Sequence, residues 1–351
     1  MGRDPRGRFR ACGDWQRTDV IGKALITGGA GFIGGFLAEA LAKRGAQVHV
    51  LDNLSRGRAD SFLRGLQDRY GVEVFMRDLA DPAAVKQLPN DYSLIFHLAA
   101  VLGVQNVLDR PYETLRDNVA LLDRVVELAR RQHALERFVF TSTSEVYAGS
   151  LLHLNMPVPT PEDFPLALPA LDHPRTSYML SKVYGEALVV HSGLPFTVLR
   201  PHNIYGPRMG LLHVIPQLLE KAHLAKPGSA IEVFSIDHRR TFCYIDDAVA
   251  MMIAAALSPN CLQQVLNLGR EAPEVAIGEV ARIVIATVGK SLTVRPAPPT
   301  AGSPARRAPS MARMTAATGV VAKVALEQGV GMTYAWYRDQ VFSGLETEVA
   351  R

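Results

Sequence analysis

The sequence has little cysteine and no clustered histidine, and these shortages narrow the kinds of site that it can form. Cys12, Cys243 and Cys261 lie far apart without a CxxC spacing, which argues against a zinc site and against a disulfide framework. The ten histidines form no HExxH pair or similar cluster, so we expect no bound metal. Few, separated cysteines are typical of a reducing compartment, and we therefore expect a cytoplasmic protein.

Long apolar runs and basic stripes are also missing from the sequence. No apolar stretch reaches the length of a transmembrane helix, so we expect no membrane partner. Much of the net charge of +4 comes from arginines near the start of the chain, and residues 1–22 are predicted to be a flexible basic tail. The rest of the chain has no lysine- or arginine-rich stripe with interleaved aromatic residues, so we expect no nucleic-acid partner.

The sequence does contain a glycine-rich turn between an apolar run and a helical pattern. Residues 24–27 are predicted to form a buried strand, and apolar residues recur at helical spacing from Phe32 onward. Gly28, Gly31 and Gly34 allow a tight turn and let a pyrophosphate approach the helix N-terminus closely. We therefore predict that a dinucleotide contacts Gly28, Gly31, Phe32 and Ile33.

A second apolar run ends in Asp52, eighteen residues after Gly34. A carboxylate at this place can accept hydrogen bonds from both hydroxyls of an adenosine ribose, and it repels a 2′-phosphate, so we expect NAD rather than NADP. Asp78 ends the next predicted strand, where its carboxylate could meet the adenine amino group. Further cofactor contacts are expected from Asn53, Asp78, Leu79, Leu98, Ala99, Ala100 and Asn118.

Strands and helices alternate along the first two hundred residues, which predicts an α/β fold, a Rossmann-like doubly wound parallel sheet. We expect an NAD-binding domain over residues 23–202. Residues 203–351 are predicted to form mainly a smaller C-terminal substrate-binding lobe, with some segments returning to the sheet. Prolines predict a loop over residues 151–175.

Tyr178 and Lys182 lie four residues apart at the start of a helix predicted over residues 178–190, and therefore on one helix face. A lysine charge near a phenol, joined by the charge of an oxidised nicotinamide, stabilises the phenolate and lowers the tyrosine pKa from ~10 toward neutrality. The tyrosine can then take a proton from a sugar hydroxyl. A surface helix would show the same spacing, but the hydroxyl-rich residues 141–144 offer a third partner, Thr143.

Several segments form an ordered set along the chain: Thr-Gly-Gly-Ala-Gly-Phe-Ile-Gly (27–34), Leu-Asp-Asn-Leu-Ser-Arg-Gly (51–57), His-Leu-Ala-Ala (97–100), Ser-Thr-Ser-Glu-Val-Tyr (142–147), Tyr178 with Lys182, Arg-Pro-His-Asn-Ile-Tyr-Gly-Pro-Arg (200–208) and Arg-Thr-Phe-Cys-Tyr-Ile-Asp-Asp (240–247). Together they resemble the extended short-chain dehydrogenase/reductases, in the nucleotide-sugar epimerase/dehydratase branch. The resemblance implies a homodimer that holds NAD and acts on a nucleoside-diphosphate sugar, with a UDP-sugar favoured. In this family the sugar is oxidised at C4, and the 4-keto sugar is then changed.

The resemblance also implies roles for single residues. Thr143 would hydrogen-bond the C4 oxygen, Tyr178 would be the base, and Lys182 would also hold the nicotinamide ribose. The substrate would be held by Asn203, Arg208, Arg240 and Arg307. The chain departs from the family at positions that face the substrate: Ser235 to His238 replace Gly-Asp-Gly, Thr241 and Ser310 replace acids, and His202 replaces phenylalanine.

Glu145 bears on which reaction follows C4 oxidation. The triplet 143–145 resembles that of sugar-nucleotide 4,6-dehydratases and UDP-glucuronate decarboxylases, in which this glutamate acts beyond C4, whereas many 4-epimerases have an inert residue there. On an extended chain Glu145 and Thr143 would face the sugar from one side. The commonest dehydratases have an acid at the position of Ser144, which counts slightly against dehydration. We favour epimerisation over dehydration or decarboxylation by a narrow margin. A non-catalytic dinucleotide-binding regulator is a less favoured alternative.

Overall fold

A computed structural model of the chain describes residues 21–57, 59–299 and 304–343, so most of the expected basic tail lies outside the described residues. The strands of this part are β1 (Lys23–Thr27), β2 (Gln47–Asp52), β3 (Glu73–Met76), β4 (Leu94–His97), β5 (Arg137–Thr141), β6 (Phe196–Pro201), β7 (Ile204–Tyr205), β8 (Ala230–Phe234), β9 (Arg239–Arg240), β10 (Cys243–Tyr244), β11 (Gln264–Leu268), β12 (Val275–Ala276), β13 (Thr293–Ala297) and β14 (Arg306–Arg307). The α-helices are α1 (Phe32–Ala42), α2 (Ser61–Tyr70), α3 (Val104–Asp109), α4 (Pro111–Arg130), α5 (Ala148–His153), α6 (Arg175–Val190), α7 (Val214–Leu224), α8 (Ile245–Leu257), α9 (Ile277–Val288), α10 (Ala312–Thr318) and α11 (Leu326–Tyr337).

Seven strands form one parallel sheet in the order β11-β6-β5-β4-β1-β2-β3. The predicted Rossmann-like fold is therefore confirmed. The order reverses between β1 and β4, because the chain runs outward from β1 to β3 and then crosses back to β4. In such sheets a crevice opens at the carboxyl ends of the two strands that flank the reversal, and ligands bind there.

The sheet is buried on both faces because its strands are apolar on both faces. Ala24 and Ile26 of β1 pack into one hydrophobic core together with residues of α1 and α8. Leu25, which lies between them, packs into a second core with residues of α4 and α6. The two helical layers hold the carboxyl ends of β1, β4, β5 and β6 in fixed positions along one edge.

The C-terminal part of the chain adds a strand to the central sheet and forms a small second sheet. β11 returns to the central sheet and pairs with β6, as the sequence allowed for part of the lobe. β9 pairs with β12 and β14 in a small sheet, and its register sets Arg240 opposite Arg307. The division of the chain at residue 202 stays a prediction.

Some elements differ from the sequence-based expectation. α2 and α11 form where no helix was predicted. β13 forms within a proline-rich stretch, because Pro296 lies in a strand with a single neighbour, β8. Within the described ranges no helix is both long and apolar enough to cross a bilayer.

Candidate active site

The glycine turn after β1 is shaped to receive a phosphate group. Gly28 has a φ of +72°, and its N–H donates to Leu51 O at 2.8 Å, which places the turn over the ends of β1 and β2. A Cβ at Gly34 would lie 2.4 Å from Gly28 O, so the helix approaches the turn more closely than any side chain permits. Gly31 caps α1 without a side chain, which leaves the first N–H groups of the helix, including those of Phe32 and Ile33, for an anion.

Asp52 is fixed at the carboxyl end of β2 and is 8% exposed. Its carboxylate accepts hydrogen bonds from the backbone N–H of Ala30 at 3.0 Å and of Leu54 at 2.8 Å. Burial raises the pKa of Asp52, and the two backbone hydrogen bonds act against this rise. The glycine cradle and this oriented carboxylate fit the pyrophosphate and the adenosine ribose of NAD, respectively.

We expect the protein to bind NAD on the order of 10²-fold more tightly than NADP, because a 2′-phosphate beside Asp52 would bring two negative charges together in a poorly hydrated place. Calorimetric titration with each dinucleotide measures this ratio. Asp52→Asn keeps the size of the side chain but removes its charge, and it should narrow the ratio. Equal affinities in the wild-type protein would contradict the assignment of Asp52.

The other predicted cofactor residues lie around the same crevice. The N–H of Leu98 donates to Thr27 O at 3.0 Å and carries the chain from β4 toward Ala99 and Ala100. Asn118 is buried, and its amide both accepts from Val101 N at 2.7 Å and donates to Val101 O at 2.9 Å. Asn118 thus fixes the loop that borders the crevice. The remaining positions follow β2 and β3: Asn53 and Asp78 are exposed, and Leu79 is buried.

Tyr178 and Lys182 project from α6 toward the end of β5. Lys182 is 4% exposed, and its Nζ donates to Thr141 O at 2.9 Å and lies 5.9 Å from the centre of the Tyr178 ring. The Thr143 side chain lies near the Tyr178 phenol and acts to lower its pKa. The structure thus brings together the three residues that the sequence had grouped.

The surroundings of Tyr178 raise the pKa of its phenol. In the protein alone, burial and the negative charge of Glu145 raise it to about 12, although the Thr143 side chain acts in the opposite direction. The lowering expected from Lys182 together with an oxidised nicotinamide concerns the NAD-loaded enzyme and stays a prediction. Lys182 directs its ammonium at a backbone carbonyl instead of the phenol, so a lower phenol pKa would require a further positive charge in the crevice.

We expect turnover to fall as the pH rises above about 8. Burial lowers the pKa of Lys182 to about 8, against a smaller opposing effect of Glu186, so the lysine loses its charge above that value. A neutral amine no longer favours a phenolate at Tyr178. The pH profile of kcat, measured with NAD at saturation, checks this expectation, and a rate that stays constant to about pH 10 would contradict it.

Glu145 lies between two arginines. Arg307 Nη1 donates to Glu145 Oε1 at 2.9 Å, and Arg175 Nη2 donates to Glu145 Oε2 at 3.2 Å. The charge of Arg307, and then that of Arg175, lowers the pKa of Glu145, although burial acts against them. Glu145 is therefore a carboxylate at neutral pH, and a weaker base than an unpaired glutamate.

The backbone at Glu145 does not have the extended conformation that we expected from the sequence. The chain is extended at Thr143 but turns into a short 3₁₀-helix at residues 144–147, and Thr143 Oγ1 accepts a hydrogen bond from Glu145 N at 3.2 Å. The alternation of an extended strand thus does not apply to Glu145. Its carboxylate is oriented by the ion pairs with Arg175 and Arg307 instead.

The predicted substrate residues lie in two places. Asn203 and Arg240 adjoin Arg307: Asn203 Nδ2 donates to Thr241 O at 2.9 Å, and burial and the Arg307 charge lower the pKa of Arg240 to about 10. Arg208 contacts the glycine turn and Asp60, with its Nε 2.9 Å from Asp60 Oδ2 and its Nη2 3.3 Å from Ala30 O. Arg208 therefore braces the cofactor side of the crevice, and its predicted contact with the substrate stays a prediction.

Arg175 was missed by the sequence reasoning. Because prolines are frequent up to Pro174, we predicted that residue 175 belongs to a loop. In the structure Pro174 is the N-cap of α6, and Arg175 is the first residue of the helix. Arg175 lies one turn before Tyr178 and so faces the same side of α6. Its position three residues before Tyr178 was the signal in the sequence that could have identified Arg175 as a site residue.

A buried polar network supports the site from below. Arg200 pairs with Glu186 through two hydrogen bonds of 2.6 and 2.9 Å, and Ser142 Oγ donates to the same carboxylate at 2.5 Å. Arg200 also donates to Tyr147 Oη at 2.8 Å, and Tyr147 donates to Asn267 Oδ1 at 2.8 Å. The network joins α6, β6 and β11 beneath residues 142–147.

Comparisons with known proteins agree with this geometry. The family model that matches the chain is the NAD-dependent epimerase/dehydratase family, over residues 24–269. A relative from Bacillus cytotoxicus, named UDP-N-acetyl-alpha-D-glucosaminuronate decarboxylase, is 30% identical over 333 residues, which cover 90% of this chain and 98% of that protein.

Two solved structures extend the comparison to other reactions. The UDP-glucose 4-epimerase of Thermus thermophilus in complex with NAD is 27% identical, with a TM-score of 0.75 over 91% of this chain and 100% of that chain. An NAD-dependent NDP-hexosamine 5,6-dehydratase of tunicamycin biosynthesis is also 27% identical, with a TM-score of 0.75 over 92% of this chain and 99% of that chain. The named reactions of these proteins are thus decarboxylation, epimerisation and dehydration.

Proposed function

Because the chain belongs to the NAD-dependent epimerase/dehydratase family, and is an NAD-dependent enzyme of this class, we propose that it decarboxylates a nucleoside-diphosphate uronate. The substrates to consider first are UDP-glucuronate and UDP-N-acetylglucosaminuronate. This proposal prefers the decarboxylase alternative to the epimerase that the sequence favoured. The Bacillus cytotoxicus relative supports the change, since the alignment covers nearly the whole of both chains.

The observation that carries the proposal is the pair of guanidinium groups of Arg175 and Arg307 at Glu145. Their side chains are 27% and 12% exposed, so both can be reached by a ligand next to Tyr178. A uronate brings a carboxylate at C6, which two arginines can bind through charge-assisted hydrogen bonds. A neutral hexose offers no group that would use this pair.

The charge of Glu145 also favours decarboxylation over dehydration. A dehydratase must remove the C5 proton with a base, and the two arginines make Glu145 a weak base. Decarboxylation needs no base at C5, because carbon dioxide leaves from that carbon instead of a proton. The same arginines that weaken Glu145 as a base are the ones that suit an acidic sugar.

The reaction can be followed through the chain's own residues. When bound, NAD⁺ would supply the oxidation of sugar C4 and the later reduction, and its positive charge would lower the pKa of the Tyr178 phenol. Tyr178 Oη takes the proton of the C4 hydroxyl, while Thr143 Oγ1 hydrogen-bonds the same oxygen and Lys182 keeps a positive charge near the phenol. The C4 ketone is β to the C6 carboxylate, so the C5–C6 bond can break with its electron pair moving toward the C4 oxygen.

The closing steps restore the enzyme. Carbon dioxide leaves, and C5 takes up one proton that comes from water. Thr143 holds the developing negative charge on the C4 oxygen, which a positioned hydroxyl does at little reorganisation cost. Tyr178 then returns its proton to the C4 oxygen, so the sugar leaves as a nucleoside-diphosphate pentose or amino-pentose.

The nucleotide end of the substrate is proposed to lie against Asn203 and Arg240, whereas Arg307 is assigned to the C6 carboxylate. Arg240 lies opposite Arg307 in the neighbouring strand, and its guanidinium can bind a diphosphate through charge-assisted hydrogen bonds. The homodimer implied by the resemblance and the cytoplasmic location suggested by the separated cysteines stay part of the proposal.

A panel of nucleotide sugars tests the proposed function. The protein, loaded with NAD, is incubated separately with UDP-glucuronate, UDP-N-acetylglucosaminuronate, UDP-glucose and UDP-galactose, and products are followed by mass spectrometry. We expect one uronate to lose carbon dioxide and the neutral hexoses to be unchanged. A hexose converted to an isomer of the same mass, with both uronates untouched, would favour the epimerase instead.

A further inference from the structure

His202 follows β6, and one of its ring nitrogens has no hydrogen-bond partner among the described residues. The side chain is 0% exposed, and no described residue offers a hydrogen bond to its Nδ1. Arg307 Nε is likewise buried and without a partner among the described residues. The Arg307 charge is also close enough to His202 to act with burial in lowering the histidine pKa to about 3. His202 Nδ1 and Arg307 Nε thus lie in the same region of the structure, and each lacks a hydrogen-bond partner among the described residues.

The hydrogen bonds of Asn267 fix the proton on the histidine ring. Asn267 Nδ2 donates to Thr160 O at 2.9 Å and to Ser310 O at 3.1 Å, so Oδ1 is the acceptor side of this amide. His202 Nε2 lies 3.2 Å from that oxygen and must therefore carry the hydrogen. In the neutral ring Nδ1 then has no hydrogen and can only accept.

A water molecule placed between His202 Nδ1 and Arg307 Nε would satisfy both atoms. It can donate one hydrogen to His202 Nδ1 and accept from the Arg307 Nε–H. Thr241 Oγ1 is also buried without a partner among the described residues, and Thr241 N donates to Arg307 O at 3.4 Å, so the backbones of these two residues are in contact. Buried waters typically make about three such bonds.

We propose that His202 is a positioning residue which, through a buried water on its Nδ1, holds Arg307 Nε and thereby fixes the guanidinium against Glu145. The guanidinium is planar, so a bond at Nε orients the Nη1 that donates to Glu145 Oε1 at 2.9 Å. Arg307 needs such a hold because β14 has only two residues. A phenylalanine would fill the same volume but would offer no acceptor.

The consequence reaches the charge of Glu145. Arg307 is the main cause of its lowered pKa, so an Arg307 that turns away would let this pKa rise. The other charged or titratable groups that act on Glu145 are Arg175, Tyr178, Arg240 and His202 itself. This inference concerns the position of Arg307 and holds whether or not the reaction is a decarboxylation.

Three substitutions at position 202 distinguish the contribution of the ring nitrogen Nδ1 from that of Nε2. His202→Asn keeps an acceptor near the place of Nδ1, whereas His202→Gln keeps a donor near the place of Nε2 and loses the acceptor. His202→Phe removes both. The pKa of Glu145 is measured in each NAD-loaded protein by carbon-13 NMR titration, with the Glu145 signal assigned through Glu145→Gln.

We expect the Glu145 pKa to rise by about half a unit or more in His202→Phe and His202→Gln, and to stay at the wild-type value in His202→Asn. An unchanged pKa in all three variants would overturn the proposal. A second test uses only the wild-type protein and so does not depend on the folding of a variant. A high-resolution crystal structure should contain a water between His202 Nδ1 and Arg307 Nε. A dry contact there would also overturn it.

Discussion

Tyr178→Phe is expected to lower turnover by roughly 10²- to 10⁴-fold, the usual effect of losing a positioned acid–base group. Only the phenol oxygen is removed, and it is the atom that takes the C4 proton in the proposed reaction. The ring still packs on α6, so NAD affinity and Tm should stay close to the wild-type values. Steady-state turnover of the uronate, with calorimetric NAD binding and a melting curve, measures these quantities.

Tyr184→Phe is the matched control for this experiment. Tyr184 lies on the same helix, but it is 47% exposed and has no role in the site. It should retain wild-type turnover. If Tyr178→Phe kept more than half of the wild-type rate, the assignment of the proton acceptor would be wrong.

Glu145→Gln is expected to lower the rate of decarboxylation by about 10²-fold while C4 oxidation continues. The glutamine keeps the size of the side chain but not its charge, so Arg175 and Arg307 would pair fully with the substrate carboxylate. That pairing stabilises the charge which must leave C6 and therefore slows C5–C6 cleavage. Reduced nicotinamide should then accumulate during a single turnover, visible as a persistent absorbance.

Glu279→Gln is the corresponding control, since Glu279 also pairs with an arginine, Arg282, but on the exposed surface of α9. It should leave both steps unchanged. In an epimerase Glu145 would have no part after C4 oxidation, so a Glu145→Gln enzyme with near wild-type turnover and no reduced nicotinamide would contradict the role proposed for this carboxylate.

The parts of the molecule that rest on short-range pattern were predictable from the sequence. The glycine turn, Asp52 and the α6 pair of Tyr178 and Lys182 depend on spacing within one strand–turn–helix unit or one helix, and the structure has them where the spacing indicated. The parallel sheet followed in the same way from alternating strands and helices. Predicting these features does not require knowing which residues distant in the sequence lie beside them in the fold.

The charges around Glu145 were not predictable in this way. Arg307 reaches Glu145 from 162 residues away, through a two-residue strand in a proline-rich stretch. The 3₁₀-turn at 144–147 then redirects Glu145, and no period-2 argument anticipates that turn. The raised pKa of Tyr178 in the protein alone was not predictable for the same reason, because the nearby negative charge comes from Glu145 and Lys182 donates to Thr141 O.

The central claim is that an acidic sugar loses its C6 carboxylate at this site, and one labelled substrate tests it. UDP-glucuronate and UDP-N-acetylglucosaminuronate, each carrying carbon-13 at C6, are incubated with the NAD-loaded protein, and both the gas phase and the nucleotide sugar are analysed by mass spectrometry. The proposed function predicts that the label from one uronate appears as carbon dioxide and that the remaining nucleotide sugar is an unlabelled pentose. A label that stays in the nucleotide sugar of both substrates would contradict it.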